Sequence, residues 1–232
     1  TRYISVTGVQ TCALPISWKT PWARDGVCYV GLAYKLAEDK RNACCAAQLF
    51  LDSGDGVVFV GEFGPWYSST AGEFHLPPAK AEALLRGTIA TYKQQDGRPL
   101  KEIFLHAHSG INFAEYQGFL RAVPEGVKLV AIRVRQDRAG QRLYRYDEHP
   151  DVSKRGQHPV QRGVFWQRAP KHGLLYTNGF KPRIATYDGF EVPVPLSITI
   201  QHGEGDVLQV ARDILGLTKL NYNSRSEEHT SE

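Results

Sequence analysis

The sequence contains no methionine, few cysteines and no long apolar run. Its 232 residues include 4 Cys and no Met, not even at position 1, which predicts a fragment of a longer reading frame. Cys28, Cys44 and Cys45 have neither the spacing of a metal site nor the even number of a disulfide set, which favours a reducing cytoplasm. No stretch reaches the roughly 20 apolar residues of a membrane span, so we expect no membrane association.

The two ends of the chain are related as opposite strands of one DNA sequence. The segment Arg225–Glu232 (RSEEHTSE) can be encoded by AGATCGGAAGAGCACACGTCTGAA, whose reverse complement encodes Val9–Ile16 (VQTCALPI) in another frame. Unrelated natural termini do not encode each other, and both segments resemble the translation of a sequencing-library adapter. We therefore expect residues 1–16 and 225–232 to be adapter-derived tails around a native part, Ser17–Ser224.

Positive charge is concentrated in one stretch. The formal net charge of the whole chain is +4, and removing both tails makes it +5. The segment Arg133–Arg183 alone holds twelve Lys/Arg and four Asp/Glu, a local balance of +8. Such a stretch suits a phosphate backbone, although a solvated basic face without a partner has the same composition.

Hydrophobic periodicity predicts alternating strands and helices in the first half. Apolar and β-branched runs predict strands, and helical spacing after Pro77-Pro78 and after the capping residue Asn112 predicts helices. In chain order the elements are strands Val27–Tyr34, Ala43–Leu51 and Val57–Gly61, helix Ala79–Gln94, strand Ile103–Leu105, helix Phe113–Ala122 and strand Lys128–Val134. Three antiparallel strands followed by this alternation indicate an α/β fold with an RNase H-like mixed sheet and flanking helices.

The second half is predicted to have shorter strands separated by prolines. They are Leu143–Tyr146, Val164–Gln167, Leu174–Tyr176 and Leu196–Ile200, before a final amphipathic helix at Asp206–Leu215. No linker or repeat divides the chain, so Ser17–Ser224 is expected to be a single domain truncated at both ends.

Several short motifs, in the right order, resemble one protein family. The closing run Leu217–Asn223 (LTKLNYN) follows the last helix, and Leu175–Pro182 (LYTNGFKP) precedes it. Near the start stand Cys28–Leu32 (CYVGL) and then Leu105–Ser109 (LHAHS). Together they resemble the PIWI domain of short prokaryotic Argonautes over nearly all of Ser17–Ser224.

The resemblance implies that the catalytic carboxylates are missing. RNase H-like nucleases cut with two metal ions held by carboxylates at the ends of the first and fourth strands. Active relatives place aspartates where this chain has Ala33 and His108. Glu62 or Glu73 could replace the family's inserted glutamate, but one carboxylate cannot hold two metals.

No cofactor is therefore expected. Magnesium would require the missing MID and C-terminal parts, because the fourth family ligand would lie beyond Asn223. A zinc half-site formed by His106 and His108, which share one face of a strand, is the alternative metal hypothesis, but no third ligand has a recognisable spacing.

The resemblance instead implies binding of guide and target nucleic acids without cleavage. Basic and amide side chains supply charge and hydrogen bonds to phosphate and sugar. The candidates are Lys154, Arg155, Arg162, Lys181, Lys219, Asn221 and Asn223.

Relatives of this type act in prokaryotic defence with an APAZ-containing effector that carries a TIR, sirtuin-like or nuclease domain. Two alternatives stay open. One is an active magnesium-dependent Argonaute-type endonuclease, and the other is an RNase H-like structural or interaction domain without a nucleic-acid role.

Overall fold

A computed structural model describes ten strands and three α-helices in chain order. It describes residues 24–38, 42–50, 56–70, 72–95, 99–137, 142–146, 150–156, 158–185, 187 and 192–220. The strands are β1 (Val27–Leu36), β2 (Ala43–Phe50), β3 (Gly56–Gly64), β4 (Tyr67–Ser68), β5 (Glu73–Phe74), β6 (Glu102–Ala107), β7 (Lys128–Gln136), β8 (Phe165–Ala169), β9 (His172–Leu175) and β10 (Leu196–His202). The helices are α1 (Pro78–Gln95), α2 (Phe113–Ala122) and α3 (Val207–Leu220).

Eight of these strands form one mixed sheet, in the order β3-β2-β1-β6-β7-β10-β9-β8. The meander β1–β2–β3 is antiparallel, whereas β6 runs parallel to both β1 and β7. Parallel neighbours need crossover connections, and α1 and α2 lie in the chain between β1 and β6 and between β6 and β7. This confirms the predicted α/β fold with an RNase H-like mixed sheet.

The chain divides into two compact units. The first contains the described residues up to Arg133 together with Ile200–Glu204. Its core lies between one face of β1, β2, β6 and β7 and the apolar sides of α1 and α2. The largest fully buried side chains there include Tyr92, Phe119, Leu85 and Leu105. Every second residue of β1 and β6 reaches this core, as the strand period requires.

The second unit contains the described residues of Val134–Thr199 and those from Gly205 onward. Its apolar interior includes Leu174 and Leu175 of β9 and Ile198 of β10. Helix α3 contributes one buried stripe of Val207, Val210, Ala211 and Ile214, as its spacing predicts. Asp206 accepts a hydrogen bond from the Leu208 N–H and thereby caps this helix.

Most predicted elements are confirmed to within a few residues. The strand predicted at Leu143–Tyr146 is wrong, because only one isolated bridge, Tyr144 to Pro159, forms there. The short hairpin of β4 and β5 had not been predicted, since two-residue strands leave no periodic pattern. Cys28, Cys44 and Cys45 are free and buried, as expected. No helix in the described part of the chain is long and apolar enough to cross a membrane.

Candidate nucleic-acid interface

The two positions predicted to lack catalytic aspartates are neighbours at the carboxyl edge of the parallel strands. Leu32 of β1 pairs with Ala107 of β6, so the next residues along each strand are Ala33 and His108. Strand parity puts both on the face opposite α1 and α2, and both are exposed. The sheet register therefore places these two positions next to each other. A methyl group and an imidazole stand there, and neither is a ligand that Mg²⁺ prefers.

The acids that precede β1 and begin β6 lie at the opposite edge of the sheet. Glu102 begins β6, and its carboxylate accepts a hydrogen bond of 2.7 Å from Arg24 Nη1. Asp25 lies in the turn before β1. A strand of six residues separates Glu102 from the carboxyl edge by roughly 17 Å. A shift of the alignment by one residue therefore brings no carboxylate to the edge.

One predicted carboxylate does reach the carboxyl edge. Glu73 of β5 lies beside the loop that follows β6, and its carboxylate accepts a hydrogen bond from Arg133 Nη2. Arg133 stands opposite Ala107 near the end of β7. A Cβ built on Gly110 would lie 3.0 Å from Glu73 Oε2, 3.4 Å from Gln201 Nε2 and 3.6 Å from Arg133 Nη1. These three side chains therefore lie close around Gly110, where a Cβ would already be in tight contact with Glu73 Oε2.

The loop between β6 and α2 is held from two neighbouring strands. Arg133 Nε donates to the His108 carbonyl at 3.3 Å, and the Ile111 N–H donates to Gln201 Oε1 at 3.0 Å. His202 Nε2 donates to the Ile111 carbonyl at 2.7 Å. Because Gln201 uses its oxygen on Ile111, its amide nitrogen is the group that faces Gly110. The edge thus presents two nitrogen donors, one of them a guanidinium.

A buried carboxylate fixes the start of α2 behind this loop. Glu115 donates its N–H to Asn112 Oδ1 at 2.8 Å, which confirms Asn112 as the predicted cap. The side chain of Glu115 is only 1% exposed. Its carboxylate accepts hydrogen bonds from Tyr34 Oη and the Leu76 N–H, and its Oε2 atom lies 3.4 Å from His75 Nδ1. Burial raises the pKa of Glu115, although these hydrogen bonds oppose the shift.

The two histidines of the β6 end have different surroundings. His106 Nε2 is buried and makes no hydrogen bond within the described residues, and the ring lies 6.2 Å from that of Tyr29. Burial lowers the pKa of His106 to about 4, so it is neutral at pH 7. His108, in contrast, is exposed. The described residues contain no group of three or more His, Cys, Asp or Glu that could hold a metal ion.

Among the residues whose side chains the structure describes, those at this edge do not fit the two magnesium ions that the fold family implies. Two divalent ions need several oxygen ligands, mostly carboxylates, within one small volume. Glu73 supplies one carboxylate, and a guanidinium already neutralises it. A second cation beside Arg133 would also meet the repulsion of a fixed positive charge.

Three predicted nucleic-acid-binding residues can be placed in the second unit. The guanidinium of Arg162 donates to the Thr177 carbonyl at 2.8 Å and to the hydroxyl of Thr218 in α3 at 3.0 Å. Arg155 is exposed and donates to Tyr146 Oη at 3.3 Å, and Lys181 is half-buried. Arg162 therefore ties α3 to the loop after β9, whereas Arg155 lies on the surface.

Other predicted positions lie outside what the structure describes. They are residues 1–16 and 225–232, Asn221, Asn223 and the side chains of Glu62, Lys154 and Lys219. The predictions for them stay predictions. Arg133 was predicted only as part of the positively charged stretch, and Gln201 was not predicted as a site residue. The sequence did contain a signal for Arg133, because it is a charged residue near the end of strand β7, directly after the buried residues of that strand.

Comparisons with known proteins agree on the fold. No protein-family model and no curated protein sequence matches the chain. Among solved structures it is similar to Marinitoga piezophila Argonaute in complex with a 5′-OH guide RNA, with a TM-score of 0.58 and 10% identity over 84% of this chain. It is also similar to Clostridium butyricum Argonaute bound to a guide DNA and a 19-mer target DNA, with a TM-score of 0.51 and 16% identity over 83% of this chain.

The A. aeolicus Argonaute gives a TM-score of 0.51 and 18% identity over 86% of this chain. The chain spans about a quarter of the length of these Argonautes, with coverages of 26%, 23% and 26%. The eight-stranded mixed sheet and its helices thus match the RNase H-like PIWI fold found in Argonaute proteins.

Proposed function

We propose that this chain binds a guide–target nucleic-acid duplex and does not cut it. The observation that carries the proposal is the carboxyl edge of β1 and β6, where Ala33 and His108 stand side by side on a fold shared with Argonautes. Two of the similar proteins were solved with guide nucleic acid, one of them also with target DNA. A sheet of this kind still offers a shape-complementary surface after its carboxylates are lost.

The electrostatics of the second unit support the same proposal. Most of the +8 stretch belongs to this unit, and several of its arginines lie near aromatic rings. The guanidinium carbon of Arg168 is 5.4 Å from the ring centre of Trp166, and that of Arg155 is 6.0 Å from the ring centre of Tyr146. Arginine and exposed aromatic side chains together contact phosphates and stack on bases.

The biological setting belongs to the same proposal. Binding of a guided target would serve prokaryotic defence by activating an APAZ-containing effector with a TIR, sirtuin-like or nuclease domain. This part follows from the motif resemblance alone. It is separable from duplex binding, because binding can be measured without any effector.

The test is fluorescence anisotropy of the full chain with a labelled short RNA–DNA heteroduplex, titrated over salt in the presence of Mg²⁺. Salt-dependent binding is expected, because phosphate contacts release counterions. The same samples run on a denaturing gel should show intact strands. An unrelated acidic protein of equal size serves as the binding control.

Two results would contradict the proposal. Cut strands that need Mg²⁺ would favour the endonuclease, and substitution of Glu73 by Gln would then have to abolish cutting. Absence of binding at low salt would favour a structural or interaction domain.

A further inference from the structure

The strand β8 ends the eight-stranded sheet that the described residues form, and most of its side chains are open to solvent. Phe165 is half-buried, because its ring covers Gly173 of β9, where no Cβ would fit beneath it. Trp166 is 38% exposed, whereas Trp66, the other tryptophan that the structure describes, is 7% exposed. Tryptophan combines a large apolar ring with a polar N–H, and such residues are enriched where a partner binds.

The guanidinium of Arg168 lies beside the ring of Trp166. Its carbon atom is 5.4 Å from the ring centre, and within the described residues the Arg168 side chain has neither a carboxylate partner nor a hydrogen bond. Arg168 stands where the register of β8 against β9 shifts, between Gln167 and Ala169. Such a bulge re-aims a side chain and interrupts the regular ladder. The donors of this guanidinium are therefore available to a ligand.

The segment around this pair contains no acid. Residues 152–187 include seven Lys/Arg and no Asp or Glu, and β8 lies in the middle of that segment. Because no carboxylate of the same segment offsets the positive charge, a polyanion is the partner that the charge favours.

Two kinds of anionic partner suit a basic edge strand, an acidic β-strand and a nucleic acid. The bulge favours nucleic acid, because it breaks the row of backbone groups with which a further strand would pair. Indole rings and guanidinium groups also stack on nucleic-acid bases. Bases inside a duplex are stacked on each other and present only their edges, so an exposed indole selects an unpaired base.

We propose that Trp166 and Arg168 bind an unpaired nucleotide, whose base stacks on the exposed part of the indole and whose phosphate accepts from the guanidinium. This inference rests on the proposed function and deepens it. It assigns to β8 the contact with a single strand that continues beyond the guide–target duplex. Stacking and phosphate contacts tolerate any sequence, so the site reads single-strandedness rather than base identity.

The experiment compares three labelled ligands by fluorescence anisotropy with the full chain over a range of salt. They are a blunt RNA–DNA heteroduplex, the same duplex with its DNA strand extended at both ends by thymidines, and the same duplex with abasic extensions of equal length. Abasic extensions keep the phosphates and lack the bases, so the difference between the two extended ligands measures stacking. Wild type is expected to bind the thymidine ligand about tenfold more tightly than the abasic one.

Substitutions separate the roles of the ring and the guanidinium. Trp166→Ala should remove the preference for thymidine over abasic extensions, and Trp166→Phe should keep part of it because a ring remains. Arg168→Met should weaken binding of both extended ligands and lower the salt slope by roughly 0.7, the value of one single-strand phosphate. Arg168→Lys should keep the slope because it keeps the charge. Thymidine extensions should also quench the tryptophan fluorescence of wild type, and Trp166→Phe should lose this quenching.

Matched controls come from the first unit. Phe113→Ala removes another exposed aromatic ring, and Arg86→Met removes another exposed guanidinium. Each should alter the affinity for every ligand less than twofold, and thermal melts show whether each variant retains its fold. A wild type that binds both extended ligands equally, or a folded Trp166→Ala protein that still prefers thymidine, would overturn the inference.

Failure of this inference and failure of the proposed function give different results. Binding of the blunt heteroduplex without any gain from unpaired thymidines would leave the proposed function intact and refute the stacking site. Trp166-dependent binding of a thymidine single strand, by a chain that ignores the blunt duplex, would support the stacking site and refute the proposed function. An acidic strand-forming peptide that binds through Arg168 when the thymidine ligand does not would make β8 a protein-binding edge and refute the inference.

Discussion

At the residue scale, charge placement decides what the carboxyl edge can do. Ala33 and His108 stand where the parallel pairing of β1 and β6 ends, and Arg133 pairs with the carboxylate of Glu73. The sequence alone predicted the importance of Ala33 and His108, because each falls in or next to a motif that carries the resemblance. The Arg133–Glu73 pair joins residues 60 positions apart, which no local pattern reports.

Glu115 gives a residue-scale prediction about pH. Its folded pKa is raised above the ordinary value of 4.5, so the folded chain holds this proton more tightly than the unfolded chain. The contribution of Glu115 to stability is therefore fully present below that pH and is lost as the pH rises through the raised pKa. The unfolding free energy of wild type minus that of Glu115→Gln should thus fall as the pH rises above the ordinary value of 4.5, as measured by urea denaturation.

The neighbours of Glu115 determine the controls. His75 Nδ1 lies 3.4 Å from the Glu115 carboxylate, so the comparison is repeated in a His75→Gln background. Glu115→Ala should cost about 3 kcal/mol at acidic pH, where the contribution of Glu115 is fully present, because Tyr34 Oη and the Leu76 N–H lose their acceptor. A difference between wild type and Glu115→Gln that stays constant over the pH range would contradict the prediction.

At the element scale, substitutions at two glycines test how closely α1 and α2 pack. A Cβ on Gly118 of α2 would lie 2.3 Å from the Pro78 carbonyl oxygen at the start of α1, whereas a Cβ on Gly87 of α1 would meet nothing within 4 Å. Gly118→Ala should therefore destabilise the chain by about 3 kcal/mol through forced separation of the helices. Gly87→Ala should stabilise it by about 0.5–1 kcal/mol, because alanine loses less backbone entropy in a helix.

Both alanine variants are compared with wild type in one denaturation series. They add the same methyl group to helices of the same unit, so the pair isolates packing from helix propensity. Equal effects of the two substitutions would show that α1 and α2 do not approach as closely as described.

At the scale of the whole molecule, the uneven charge of the chain predicts where nucleic acid binds. Arg155→Met and Lys181→Met, in the second unit, should each lower the salt slope of heteroduplex binding by about one. Arg86→Met, on the exposed side of α1 in the first unit, is the matched control and should leave the slope unchanged. Equal slopes in all three variants, measured by anisotropy, would place the phosphate contacts elsewhere.

Arg162 shows why a basic residue in the right stretch is not enough to identify a phosphate contact. The sequence marked it together with Arg155 and Lys181, but its guanidinium bonds the Thr177 carbonyl and the Thr218 hydroxyl. Composition counts charges and does not report their partners. The assignment of Arg162 to nucleic acid therefore stays a prediction, whereas its contact with α3 is a feature of the fold.

The sequence by itself determined the order and type of most elements and predicted, from the resemblance, that Ala33 and His108 replace carboxylates. Periodicity, capping residues and short motifs are local, and they carry that information directly. The tertiary structure alone decided that Ala33 lies beside His108, that Arg133 neutralises Glu73 and that Gln201 faces Gly110. These relations depend on strand register and on packing between residues far apart in the chain, which are fixed only when the sheet and its helices assemble together.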